Sequence, residues 1–363
     1  MPKRFAFLVL CVVPLWIPTL ASAQTDVRVA TWNIESVGAP GSDEYNASLE
    51  VLARVGADVV ALNEIASAAD TLNLEALASD AGYAAFVTNS GAAFGSDRNA
   101  ILSKYPFAEP ATEHDAPTLS GDPLANDITR KILKAVIDIP GNARDLTLVS
   151  FHWKSGTGND DEFRRTLESI RISQSIADLD PEKDAYIVMG DINEEIDSTP
   201  RTPHPFTSLP SGLPASFSLG SDLADLLSLS GFPNDPFTRL TGPSSPAVTP
   251  LSALQLDGAD GTRPASGRRL DYILVSSALA SEAPLAETYD SEDEGLPGGL
   301  PKTGTPLASS ASLDASDHLL VFADITVPAR IMAIPALDPS ALLMLTLLLG
   351  LAGALRTRTL ATS

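Results

Sequence analysis

Cysteine is almost missing from this chain: Cys11 is its one thiol in 363 residues. A disulfide framework and a thiolate metal centre are both excluded. Cations are scarce too. Lys and Arg number 24 against 46 Asp and Glu, a formal charge of −22. Attraction to nucleic acid or anionic membrane is therefore not built in, which counts against a tight, salt-driven DNA binder. An enzyme that recruits phosphate through metal ions stays allowed. Aromatic residues make up 6% of the chain, with no clear aromatic hairpin for lipid docking. The length suits two domains or one large α/β domain, and is ample for a sizeable core.

The long apolar runs stand at the two ends. Lys3 and Arg4 precede an apolar run from Phe5 to Leu20, and Ala21-Ser22-Ala23 follows. This order of positive, apolar and small residues predicts a secretory signal over residues 1–23. Leu10 before Cys11 argues against a lipoprotein signal. The mature chain then begins near Gln24, without Cys11, and its stability must come from the core and from any bound metal. At the other end, Ile334-Pro335-Ala336-Leu337 leads into an apolar run over about 341–355, with Arg356 and Arg358 behind it. The run is short for a full span, and the trailing arginines favour a cytoplasmic end. Residues 329–363 are similar to the bacterial sorting signals that combine an Ile-Pro-x-Leu motif, a membrane segment and an arginine cluster. Ala336 stands where those signals usually have Thr. The alternative is an unprocessed tail anchor.

Between the ends, apolar runs repeatedly stop at polar residues. Ile187–Met189 ends at Gly190, then sets Asp191 and Asn193 two apart, on one side of a strand tip. Val27–Thr31 delivers Trp32-Asn33, and Ala57–Leu62 delivers Asn63-Glu64. Leu146–Phe151 delivers His152-Trp153-Lys154-Ser155, and Arg269-Leu270-Asp271-Tyr272 opens another strand. Ser316-Asp317-His318 precedes Leu319–Val327. The carboxyl edge of an α/β sheet is where ligands usually sit. Helices are expected at Asn46–Val55, Leu72–Ala81, Asp161–Leu179 and Asp222–Ser230. Arg164, Arg165 and Arg171 on the third helix either meet a phosphate backbone or form a solvated face with local ion pairs. Residues 195–267, rich in Pro, Ser, Thr and Gly, read as substrate-selecting loops anchored by Phe206, Phe217, Phe232 and Phe237. The acidic loop Tyr289–Gly299 either binds Ca²⁺ or is simply solvated.

These six stretches, in this order, resemble the endonuclease/exonuclease/phosphatase superfamily, the deoxyribonuclease I-like fold, over Val27 to Val327. The resemblance implies an α/β four-layer sandwich of two mixed β-sheets flanked by helices, in one catalytic domain over 24–328. It implies Glu64 and Asp317 as metal ligands, with Asn33 beside them or on a phosphate oxygen, and Mg²⁺ (or Mn²⁺ or Ca²⁺) as the cofactor. Asp191, with His318, would position and deprotonate water; Asn193 would hold a phosphate oxygen. His152 would serve the leaving oxygen or the pentacovalent state, and which histidine is acid and which base stays open. Asp271 would orient His318. Arg130 would contact phosphate or pair with a surface acid, and Lys154 would add positive charge. Trp153 reads as packing.

The His-x-Lys-Ser form is similar to secreted bacterial nucleases. The expected function is therefore a secreted or surface-attached, metal-dependent phosphodiesterase acting on DNA or RNA. A phosphodiesterase or phosphatase on phospholipid, sphingomyelin or inositol phosphates is the alternative, and a catalytically silent surface module is a third reading. The expected partners are a phosphodiester substrate, a sorting peptidase and the membrane before processing. The protein is expected to be a monomer at the bacterial cell envelope or outside the cell.

Overall fold

The computed structural model describes residues 24–329 except 92–93, 95–96, 143, 197–204, 234, 238–239 and 241–247, together with Leu347. Thirteen strands are described. They are β1 Thr25–Asn33, β2 Val59–Ile65, β3 Ala85–Thr88, β4 Arg98–Ser103, β5 Thr112–His114, β6 Ile132–Ile137 and β7 Leu146–His152. Then come β8 Tyr186–Asp191, β9 Val248–Pro250, β10 Ala253–Leu254, β11 Asp271–Ser276, β12 Leu285–Tyr289 and β13 Leu320–Val327. One sheet has the order β10-β12-β13-β1-β2-β4-β3, the other β5-β6-β7-β8-β11-β9.

Period-two patterning stacks the sheets face to face. Val27 and Val29 of β1 and Val59 and Ala61 of β2 pack against Leu146 and Leu148 of β7, Ile187 and Met189 of β8, and Ile273 of β11. The opposite faces take the helices. α1 (Asp43–Val55) and α2 (Ala68–Asp80) bring Val51, Leu52, Leu74 and Leu77 onto Ala30, Trp32 and Leu62. α4 (Asn159–Ser175), which follows the short α3 (Ala116–Ser120), brings Ile172 onto Val149, Phe151 and Val188. The result is the expected four-layer sandwich.

Both outer helices start earlier than periodicity predicts, because serine caps set the start. Ser42 accepts from the Tyr45 amide, and Ser67 accepts from the Asp70 amide. Residues 195–267 hold more than loops and one helix. Besides α5 (Ser221–Leu229) they form β9 and β10 and a bridge between Phe206 and Phe232. Strands of two or three residues carry no readable period. The four phenylalanines do anchor this region. Phe206, Phe217 and Phe232 surround Phe163 of α4, and Phe237 packs on Trp153 and Tyr272.

The α4 arginines match neither expectation. Arg164, Arg165 and Arg171 are all buried. Arg165 pairs with Glu194, Arg171 with Asp127 and Asp222, and Arg164 stacks on Phe94. The helix is sandwiched between the sheet and the 195–267 region, so its middle, Glu162 to Ile172, is buried on every side, arginines included. The acidic loop is anchored at two points and otherwise solvated, with Glu292 and residues 295–299 exposed. Glu294 pairs with Arg54, and Asp293 accepts from the Asp257 amide.

By its contacts the chain divides into a unit ending at Ala329 and a second from Arg330. The expected signal over 1–23 and sorting segment over 329–363 lie outside the described residues, Ala329 and Leu347 excepted. Among the described residues no helix is long and apolar enough to cross a membrane.

Candidate active site

The topology brings the polar strand ends together. β1 runs parallel to β2, and β7 parallel to β8. Their carboxyl ends carry Asn33, Glu64, His152 and Asp191. β11 runs antiparallel to β8 and β13 antiparallel to β1, so their leading ends, with Asp271 and His318, arrive at the same edge. Asp191 is in register with His152 on one side and Asp271 on the other.

Asn63 clasps the two sheets at this edge. Its Nδ2 donates to the Phe151 carbonyl at 2.9 Å and to Asn99 Oδ1 at 2.8 Å, while its Oδ1 accepts from the Asp191 amide at 2.9 Å. Gly190 makes the approach possible. Its φ is +155°, and a Cβ there would overlap the Phe151 carbonyl oxygen.

Asn33 spans both sheets too, donating from Nδ2 to Glu64 Oε1 and to Asp191 Oδ2, each at 3.0 Å. Glu64 reaches this place through a register shift in β2 after Leu62 and a left-handed backbone, φ 63°. Asn193 is left-handed as well, at φ 52°. Its amide N donates to Asp191 Oδ1 at 2.8 Å, and its Nδ2 lies 3.1 Å from His152 Nε2. That histidine nitrogen is 3.4 Å from Asp191 Oδ2 and 3.7 Å from Glu64 Oε1. Across the site, His318 Nδ1 lies 2.7 Å from Asp271 Oδ2, which also accepts from Thr262 Oγ1 at 2.6 Å. Trp32 Nε1 donates to the His318 carbonyl and fixes its backbone.

The charge states follow from burial and from the charges nearby. Burial raises the Asp191 carboxyl to about 7, helped by the neighbouring Asp271 charge. Burial raises Glu64 as well, against the pull of Asn33 and Arg130. His152 is held well below its ordinary value, first by burial, then by the charges of Arg130, His318 and Lys154. Burial also pushes His318 down, but the charge and hydrogen bond of Asp271, with Asp191 behind it, more than offset this and lift it to about 10. The site thus pairs a neutral imidazole with an imidazolium.

The three remaining expected residues each have a partner. Arg130 pairs with Asp97 at 2.9 Å and donates to the Trp153 carbonyl. Lys154 pairs with Asp161 at 2.9 Å. Asp317 pairs with Arg263 at 2.7 Å, and its other oxygen is 3.9 Å from His318 Nε2. It belongs to neither of the described groups of close-set carboxylates and histidines. Those groups are Glu64, His152 and Asp191, and Asp191, Asp271 and His318. The first fits a hard cation. Glu64 and Asp191 approach the same amide, neither lies within ion-pair distance of a described Lys or Arg, and carboxylate oxygens suit Mg²⁺ or Ca²⁺. In the second, Asp271 is already neutralised by His318.

Thr262, Arg263, Asn63 and Asn99 were not among the expected site residues. Asn63 carried a signal, since it shares a strand tip with Glu64. Thr262 and Arg263 carried none, because the region before β11 shows no period.

The chain belongs to the endonuclease/exonuclease/phosphatase family, whose model matches residues 30–318. Among solved structures it is similar to an endonuclease/exonuclease/phosphatase from Beutenbergia cavernae, at 19% identity and a TM-score of 0.52, over 85% of this chain and 73% of that one. It is also similar to the catalytic domain of human Nocturnin, at 17% identity and a TM-score of 0.51, over 83% of this chain and 94% of that one. Against curated proteins the sequence finds no match.

Proposed function

We propose that the protein is a divalent-metal phosphodiesterase that hydrolyses nucleic acid. The observation that carries the reaction class is the convergence of Glu64, Asp191, Asn193, His152 and the Asp271–His318 pair at one sheet edge. Hydrolysis must overcome repulsion between the nucleophile and an anionic phosphate, and a poor alkoxide leaving group. Glu64 and Asn33, with Asp191 alongside, would hold Mg²⁺ (or Mn²⁺ or Ca²⁺), which supplies charge neutralisation at the phosphate.

The chain's own groups do the rest. Asp191, held by the Asn193 amide on one oxygen and by Asn33 on the other, accepts the proton of the attacking water. His318, held as imidazolium by Asp271, is the acid of this reading and donates from Nε2 to a phosphate or leaving oxygen. His152 stays neutral and, with Asn193, holds a phosphate oxygen. Arg130, Lys154 and Asp317 are proposed as surrounding charge, each already paired. Nucleic acid as the substrate rests on the likeness of His152-Trp153-Lys154-Ser155 to secreted nucleases. Export, envelope sorting by residues 329–363 and a monomeric state rest on the sequence reading.

The test is turnover of plasmid DNA, RNA, sphingomyelin and inositol phosphates by the purified protein, with Mg²⁺, Mn²⁺ or Ca²⁺ and with EDTA. Metal-dependent cleavage of DNA or RNA is expected. Faster turnover of sphingomyelin or inositol phosphates would replace nucleic acid with that substrate, and activity untouched by EDTA would overturn the metal assignment.

A further inference from the structure

A short hairpin leads into β11 beside the site. Arg263 and Arg268 form its one bridge, with the amides of Thr262 and Arg263 both donating to the Arg268 carbonyl at 2.9 and 3.0 Å. Residues opposed in this way project to the same side of the ribbon. The hairpin is fastened to the catalytic strands. Thr262 donates to Asp271, and the Leu319 amide donates to the Thr262 carbonyl at 2.7 Å.

Each arginine is tethered by a carboxylate from a catalytic segment. Arg263 pairs with Asp317, the residue before His318, and Arg268 pairs with Glu195, two residues after Asn193. Both tethers are open to water: the side chains are 44% and 38% exposed in the first pair, 28% and 40% in the second. Two cations set opposite each other disfavour the hairpin. Ion pairs so exposed contribute little and give way easily to a better partner. A phosphate is such a partner, since it takes the guanidinium fork through two oxygens at once.

We infer that Arg263 and Arg268 form a clamp for a second phosphate group, next to the one being hydrolysed. The inference rests on the phosphodiesterase reading and deepens it. A substrate with phosphates in series, such as a nucleic acid strand or a terminally phosphorylated oligonucleotide, fills both places. A lone phosphodiester headgroup fills only one.

The experiment is calorimetric binding of thymidine 3′,5′-bisphosphate and thymidine 3′-monophosphate to the purified protein, with no turnover required. The wild type is expected to prefer the bisphosphate by about tenfold or more, the scale of a charged hydrogen bond. R263Q/R268Q should bring the two ligands within about threefold, with near-ultraviolet circular dichroism unchanged. Glu195→Gln, which releases Arg268, should move the preference the other way, upward. That variant keeps the test decisive if the double variant does not fold. Equal binding by the wild type, a preference surviving in R263Q/R268Q, or a fall in Glu195→Gln would overturn the clamp. Turnover of bis(p-nitrophenyl) phosphate by the same preparation separates the two claims. Turnover without bisphosphate preference sinks the clamp alone, and preference without any phosphodiester turnover sinks the phosphodiesterase reading alone.

Discussion

Gly190 carries no functional group, yet the site depends on it. The next residue, Asp191, sits in register with His152 only because β8 can press against the Phe151 carbonyl. Gly190→Ala should force the strands apart. A loss of roughly 3 kcal/mol is expected, at the high end for overpacking, read from the urea midpoint, and activity should fall further than stability. An unchanged midpoint would show that the close approach is not required. The Asp271–His318 pair has a pH signature. An unfolded imidazole titrates near 6.5, whereas His318 in the fold is lifted to about 10 by Asp271 against the effect of burial. A folded pKa above the unfolded one stabilises fully below the unfolded value and is lost as pH rises through the folded one. In EDTA, unfolding free energy should therefore decline between about pH 6.5 and 10, and Asp271→Asn should flatten that decline. Identical slopes in both proteins would contradict the assigned charge state.

Among the elements, α4 departs furthest from what its sequence suggests. Phe163, Leu167 and Ile170 mark one buried face, but Arg165 and Arg171 are fully buried as well. Arg171 holds Asp127 beneath the helix and Asp222 at the start of α5. Arg171→Met should cost about 3–5 kcal/mol by stranding these carboxylates, measured by chemical denaturation. Removing the exposed Lys183–Asp180 pair by Lys183→Ala should leave the midpoint in place. Equal effects of the two changes would remove the special status of the buried cluster. β2 shows another device at this scale. Its register shift after Leu62 and the left-handed turn at Glu64 carry that side chain to Asn33 and Asp191. Such strain is kept where the surroundings over-determine it.

For the whole molecule, two sheets each bring part of one acidic site, so a cation there would tie the sheets together. A ligand that binds only the folded state stabilises by about 2.7 kcal/mol at a hundred times its Kd. Saturating Mg²⁺ should accordingly raise the Tm of EDTA-treated protein by several degrees. Glu64→Gln should remove most of that rise. A shift that persists in Glu64→Gln would place the ion elsewhere.

Much of this molecule was determined by the sequence alone. Period-two runs ending in polar residues specified the long strands and which side chains stand at their tips, because burial and backbone geometry act within a few residues. Asn33, Glu64, His152 and Asp191 were legible as strand tips for that reason, and the order of the motifs, through their resemblance to the family, singled them out together with Asn193, Asp271 and His318. Tertiary structure alone decided which of them meet. Asn33 touches Asp191, 158 positions away, through sheet stacking, and no local pattern encodes that distance. The same holds for charge. The two histidines are alike in sequence, but burial leaves His152 neutral while Asp271 makes His318 a cation. Arg263 and Arg268 carried no signal in the sequence, and α4's arginines read either as a phosphate-facing surface or as a solvated face. Their partners, Asp317, Glu195, Glu194 and Asp127, lie on other elements. What a charged group does depends on its nearest opposite charge and its exposure to water, and both are fixed only when the chain has folded.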